Sequence, residues 1–179
     1  MAAAREPRAA LELKRQQQRI RMKKAILIID HGSKRGEANE MLDCVSNLVQ
    51  AMAGGDVIVR YAHMELASPS IAEGFAECVK AGATEVVAFP YMLSPGKHST
   101  SDIPRMVASA AKPHPDVRYS VTAAFGVHEK LAELILLRAG VPSVPVDADR
   151  CWHWTETPRT CGDACRCVNA PAPASSLTA

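Results

Sequence analysis

The sequence predicts an α/β fold: a single domain on a four- to five-stranded parallel sheet with helices on both faces, continued by a cysteine-rich C-terminal tail. Three observations carry this. Short runs of β-branched and aliphatic residues alternate with longer amphipathic stretches from residue 25 to about residue 138. The runs close in turns bearing Gly, Pro, Ser or Asp, the punctuation expected where a strand hands over to a helix. Past Gly140 the alternation fails, and four of the six cysteines crowd between residues 151 and 167.

Residues 25–29 read as a buried strand, ended by Asp30-His31-Gly32-Ser33. The first helix follows, with Met41, Val45, Leu48 and Met52 at helical spacing and Leu42 and Val49 beside them. Residues 57–61 read as strand two. Ser68 or Ser70 caps helix two with Pro69 near its first turn, and Gly82 stops it. Residues 85–92 form strand three. A turn-rich loop over residues 93–102 leads to helix three, with Ser101 or Asp102 as N-cap, Pro104 in its first turn, and Ile103, Met106, Val107 and Ala110 on one face. Pro113-His114-Pro115 breaks the chain before strand four, residues 117–122. Helix four spans residues 127–138, with Leu131, Leu134 and Ile135 apolar, and ends at Gly140. Residues 141–146 suggest a short fifth strand, which Pro142 and Pro145 confine to an edge. The parts are therefore a basic arm (1–24), the domain (25–146) and the tail (147–179), whose last nine residues lack the composition of a packed segment.

At 179 residues, 47% apolar and 22% charged, the chain is long enough for one good core. No apolar stretch approaches the length of a membrane span. The net charge of +2 hides an asymmetry: residues 1–24 carry +6 and the remainder −4. The basic character belongs to the arm, so a general nucleic-acid-binding surface is disfavoured. The arm has no Ser or Thr, which makes it a poor transit peptide as it stands, and it lacks the apolar stretch of a secretory signal. Cys44 and Cys78 lie on helical apolar faces and read as buried structural thiols.

With strand order 2-1-3-4, strands one and three are neighbours at a topological switch point, where open α/β sheets bind ligands. His31 leaves strand one there, His98 leaves strand three, and Glu65 follows strand two at the same edge, although 34 and 33 residues separate them in sequence. Imidazole suits iron, cobalt, nickel and zinc, and serves as a base near neutral pH. Each residue also has a plainer reading. A histidine after a strand is more often a turn residue than a ligand, Asp30 can simply cap the turn, and Lys34 and Arg35 are ordinary solvated charges. His63, His114 and His128 have no convergent partner and read as surface or structural. HGSKRGEAN matches neither G-x-G-x-x-G nor the P-loop, so a nucleotide-binding role is disfavoured.

Three stretches together resemble a known family: Ile28-Ile29-Asp30-His31-Gly32-Ser33, Glu65-Leu66-Ala67-Ser68-Pro69-Ser70, and Pro95-Gly96-Lys97-His98-Ser99 with Asp102-Ile103-Pro104. In this order and spacing they are similar to the short-form sirohydrochlorin chelatases, over roughly residues 25–140. The cysteine-rich extension makes the chain more similar to the plant and algal ferrochelatase branch, which carries an iron–sulfur cluster. The resemblance implies a chelatase-like (flavodoxin-like) three-layer domain, a homodimer with the site in a cleft, and insertion of Fe²⁺ into sirohydrochlorin to make siroheme. It implies that His31 and His98 handle the metal and that Glu65 is the acidic residue beside them. A plastid location, in the chloroplast stroma, rests on the same resemblance, with the cytoplasm as alternative. Ser33, Lys34, Arg35, Lys97 and the N-terminus of helix one are placed to meet the carboxylates of the substrate, an assignment from position.

The tail pattern Cys151-x9-Cys161-x3-Cys165-x-Cys167 offers enough thiolates for one [2Fe–2S] or [4Fe–4S] cluster and fits the paired arms of structural zinc less well. His153 is a fallback ligand there. Two other functions remain open at this level: cobalt insertion by the same site, and a non-catalytic iron–sulfur or metal-sensing module. The His31/His98 pair argues against the sensor, which needs only the cysteines.

Overall fold

The computed structural model describes residues 23–145. The arm before residue 23, Val146 and the tail from residue 147, with Cys151, Cys161, Cys165 and Cys167, lie outside the described residues. So do the expected extents of those segments.

The sheet is built around β1 (Lys24–Asp30), which pairs in parallel with β2 (Val57–His63) on one side and β3 (Glu85–Pro90) on the other; β4 (Arg118–Val121) adds to β3. The order is β2-β1-β3-β4, the order expected from sequence. Alternate side chains of a strand point to opposite faces. Ala25, Leu27 and Ile29 are accordingly fully buried in one core with Ile71, Phe75 and Cys78 of α2 (Ile71–Lys80) and Ile103 and Val107 of α3 (Ile103–Ala111). Ile28 joins Leu42 and Val59 in a smaller core beneath α1 (Gly36–Ala53). Gly74 lets α2 sit close on the sheet: a Cβ there would stand 2.9 Å from Leu27 Cδ1 and 3.0 Å from Ala62 Cβ.

The structure corrects several details. The buried face of α1 is Leu42 and Ser46 with Val45 and Val49 half-buried, whereas Met41, Leu48 and Met52 are exposed. Two apolar stripes overlap on this helix, and only the sheet beneath it selects one. Cys44 falls on the exposed side, so of the two helical thiols Cys78 alone is buried; its burial pushes the thiol pKa up to about 12. Ser70, not Ser68, caps α2. Its Oγ accepts from Glu73 N–H at 3.3 Å, and Glu73 accepts from Ser70 N–H at 2.6 Å, a reciprocal capping box.

Ser101 and Asp102 do not cap α3. The backbone is already helical from Lys97, and a widened π-type turn over His98–Asp102 runs directly into α3. Within that turn the buried Ser99 hydroxyl bonds back to Gly96, accepting from its N–H at 3.0 Å and donating to its carbonyl at 3.1 Å. Helix α4 (Glu129–Ala139) is capped by His128 Nδ1, which accepts from Lys130 N–H at 3.1 Å, and ends at Gly140 in the left-handed conformation. Its apolar face is not a core face: Leu134 and Ile135 are exposed, and no residue of α4 is buried. The fifth strand is absent among the described residues, since 141–145 form no ladder. Prolines at 142 and 145 remove the N–H groups it would need.

Candidate active site

Three turns meet at the carboxyl edge of β1, β2 and β3. The first leaves β1 at Asp30, whose Oδ1 accepts from Gly32 N–H at 2.9 Å. Gly32 lies at φ +82°, and a Cβ there would stand 3.1 Å from His63 Cβ and 3.2 Å from the Glu65 carbonyl carbon. Only glycine lets the turns after β1 and β2 approach this closely. The two turns are stitched by backbone bonds that prolong the β1–β2 ladder: Met64 N–H to Asp30 O at 2.9 Å and Glu65 N–H to His31 O at 3.1 Å. The third turn follows β3, whose path is prolonged by Tyr91 N–H to Ile29 O at 2.6 Å.

This frame brings the expected residues together. His31 Nε2 lies 2.8 Å from Glu65 Oε1. The His31 and His98 rings meet edge to face, with centroids 5.3 Å apart and planes at 68°. His98 Nδ1 lies 3.0 Å from Asp102 Oδ2, and the other oxygen of Asp102 accepts from Arg105 at 3.2 Å. A carboxylate can only accept, so in each pair the imidazole nitrogen donates. Asp102 thus fixes His98 with Nε2 as its open nitrogen, the carboxylate–histidine arrangement common behind metal ligands. Both histidines remain about half exposed, at 44% and 48%, so an incoming group can reach them. Among the described residues no set of three or more His, Cys, Asp or Glu side chains is gathered to hold a metal ion.

The expected substrate contacts are placed unevenly. Lys34 and Arg35 are exposed at the entrance to α1, and Lys97 is exposed beside His98. Ser33 is partly committed elsewhere: its Oγ accepts from Arg35 N–H at 3.0 Å, and its backbone is clamped on both sides by the Asn39 amide at 2.9 Å.

Sequence reasoning misses two partnerships. Asp102 serves as the partner of His98 rather than as a helix cap; the i,i+4 spacing of the pair is the available signal. His63 is not solitary: it is 1% exposed, and its Nδ1 lies 2.6 Å from Asp30 Oδ1. No local pattern marks that pair, because it spans two strands.

The fold and site together define a doubly wound α/β protein whose switch point presents two imidazoles and a carboxylate to solvent, an arrangement suited to handling a metal ion in transit. The CbiX family model matches residues 25–140, and the chain belongs to the CbiX family. It is 41% identical over 128 residues to the chloroplastic sirohydrochlorin ferrochelatase of Arabidopsis thaliana, covering 70% of this chain and 56% of that protein. It is 31% identical to the sirohydrochlorin cobaltochelatase of Methanosarcina acetivorans, covering 65% of this chain and 94% of that protein. Among solved structures it is similar to the sirohydrochlorin chelatase SirB of Bacillus subtilis subspecies spizizenii in complex with cobalt. There the TM-score is 0.62 and the identity 32%, covering 66% of this chain and 50% of SirB. The chain thus spans about half the length of the plant and Bacillus relatives it matches.

Proposed function

We propose that the protein is a sirohydrochlorin ferrochelatase, a lyase in reaction class, which inserts Fe²⁺ into sirohydrochlorin to form siroheme. The observation that carries the reading is the meeting of His31 and His98 at the switch point, each with its own carboxylate. Inserting a divalent ion into the macrocycle displaces two pyrrole protons, so the site must both present metal and accept protons. His98, held through Nδ1 by Asp102, offers Nε2 to the ion. His31 Nε2–H donates to Glu65, so a displaced pyrrole proton would be taken at His31 Nδ1, now 3.3 Å from Gly32 O, as the Nε2 proton passes to Glu65 and on to solvent. Few protein ligands and open positions suit delivery, since a closed four-ligand site retains its ion. Ser33, Lys34, Arg35 and Lys97 surround the entrance and meet the substrate carboxylates.

Cobalt is the second reading, favoured by the relatives whose names carry it; first-row ions share these ligands, and availability selects among them. The deciding experiment is anaerobic metallation of sirohydrochlorin, monitored by absorbance, with Fe²⁺ and Co²⁺ in parallel. Wild type accelerating insertion and His31→Ala or His98→Ala removing most of it supports the reading. No acceleration with either ion refutes it.

The chain acts as a homodimer in this proposal. Support comes from Leu134, Ile135 and Leu137 of α4, 48%, 68% and 74% exposed. Ile135→Asp is expected to shift sedimentation from dimer to monomer with the far-ultraviolet spectrum unchanged; an unaltered dimer refutes this interface. The tail cysteines Cys151, Cys161, Cys165 and Cys167 hold an iron–sulfur cluster, supported by their number and spacing. Visible absorption and electron paramagnetic resonance of anaerobically purified protein test it, with loss expected in a Cys161→Ser variant. A plastid location is supported by the chloroplastic relative.

A further inference from the structure

The buried histidine at the end of β2 is an expensive way to fill a core position. His63 is 1% exposed, and its Nε2 has no hydrogen-bond partner among the described residues. Half of its polar capacity is therefore wasted, against the strong tendency of buried polar atoms to be paired. The other half makes one contact, Nδ1 to Asp30 Oδ1 at 2.6 Å. That contact sits at the last rung of the β1–β2 ladder, where Asp30 and His63 face each other.

The residues just beyond this rung are those of the site. One residue past Asp30 is His31, and two past His63 is Glu65, the pair 2.8 Å apart. The His63 backbone also closes the turn that carries Glu65, its N–H donating to Pro69 O at 2.8 Å. The same Asp30 oxygen that receives His63 receives Gly32 N–H and shapes the turn that carries His31. A single carboxylate oxygen thus ties both site-bearing turns together from beneath.

We propose that Asp30 and His63 form a positioning pair that holds His31 and Glu65 in register; neither touches the reacting atoms. For catalysis this rests on the chelatase reading above, but the geometry it controls exists without substrate. Loss of a supporting hydrogen bond behind a metal-site residue typically lowers activity about 10- to 100-fold.

The test uses three variants of the full chain. His63→Leu fills the space without a donor. His63→Asn retains an N–H near the Nδ1 position. Asp30→Ser keeps an acceptor for Gly32 N–H but is too short to reach His63. The first readout is imidazole ¹⁵N NMR of His31 at fixed pH without metal or substrate, which reports its bond to Glu65. The Leu and Ser variants are expected to lose the wild-type signature and the Asn variant to keep it. The second is metal insertion per folded molecule: a kcat loss of about 10- to 100-fold for Leu and Ser with KM for the tetrapyrrole nearly unchanged, and recovery to within about threefold for Asn.

An unaltered His31 signature in folded His63→Leu or Asp30→Ser overturns the proposal, as does an Asn variant no better than Leu. Should His63→Leu fail to fold, the Asp30→Ser and His63→Asn pair decides alone. If wild type inserts no metal, the chelatase reading falls, while the NMR comparison still judges the positioning pair.

Discussion

Replacing Gly32 with alanine tests the frame on which the whole site depends. At φ +82° an alanine is in the left-handed region, which costs about 1–2 kcal/mol for an L residue. The added Cβ would stand 3.1 Å from His63 Cβ and 3.2 Å from the Glu65 carbonyl carbon, and nearer still to that carbonyl oxygen. Comfortable carbon–carbon contact is about 3.5–4.0 Å, so the two turns must part by something on the order of 1 Å. Parting them stretches the Glu65 N–H to His31 O bond, now 3.1 Å, whose net worth is about 1 kcal/mol. Residual crowding against backbone adds roughly 1 kcal/mol or more.

The expected destabilisation is therefore about 3–5 kcal/mol, a large part of the roughly 5–15 kcal/mol that holds a domain folded. In urea, with a slope of about 2 kcal/mol per molar, the midpoint should fall by about 2 M. The folded fraction should insert metal about 100-fold more slowly, since an ångström of misplacement carries a penalty of that order. Gly36→Ala is the control: a Cβ there meets nothing within 4 Å, and stability should stay within about 1 kcal/mol of wild type. A Gly32→Ala protein within about 1 kcal/mol of wild type and within threefold of its insertion rate would refute the close-approach argument.

Four other substitutions or probes have definite expected outcomes. Asp102→Asn should lower insertion about 10- to 100-fold while the urea midpoint falls far less than in Gly32→Ala, because the amide keeps the shape of the side chain in the helical turn but is a poorer acceptor for His98. Ser70→Ala should destabilise the domain by about 1 kcal/mol through loss of the α2 cap. Ser70 backbone and side-chain hydrogen bonds hold Glu73 below the usual glutamate range, so this group stabilises the fold above its unfolded pKa and its contribution fades as pH falls through its lowered folded value. The midpoint difference between wild type and Glu73→Gln, measured by urea unfolding, should accordingly shrink in acid. Cys78, with a thiol pushed up to about 12 by burial, should resist iodoacetamide at pH 8, whereas exposed Cys44 should be alkylated, as read by peptide mass spectrometry of the native protein.

The strand–helix alternation, the strand order and the edge at which His31, His98 and Glu65 meet are legible in the sequence because each rests on a local or topological rule. A β-branched run closed by a glycine turn marks a strand wherever it occurs, and parallel strands joined by helices leave few possible orders. The capping of α2 is legible to within two residues because Ser70 and Glu73 signal across a single turn. The start of α3 at Ile103 falls where the sequence puts it, but Asp102 at its N-cap position makes no capping bond, because the helical turn before it brings the carboxylate to His98 instead.

The sequence by itself determined the class of fold, the positions of its turns and the residue types at the sheet edge, since all of these arise from chemistry repeated along the chain. Tertiary structure alone decided which partners those residues take. The choice of Leu42 over Met41 as the buried side of α1 depends on the sheet it covers. The exposure of Leu134 and Ile135 depends on α4 finding no core beneath it among the described residues. The bond between Asp30 and His63 depends on a register that aligns residues 33 positions apart on neighbouring strands. Periodicity describes how a side chain points relative to its own neighbours; what it meets there is set by a second segment, brought near only when the chain folds.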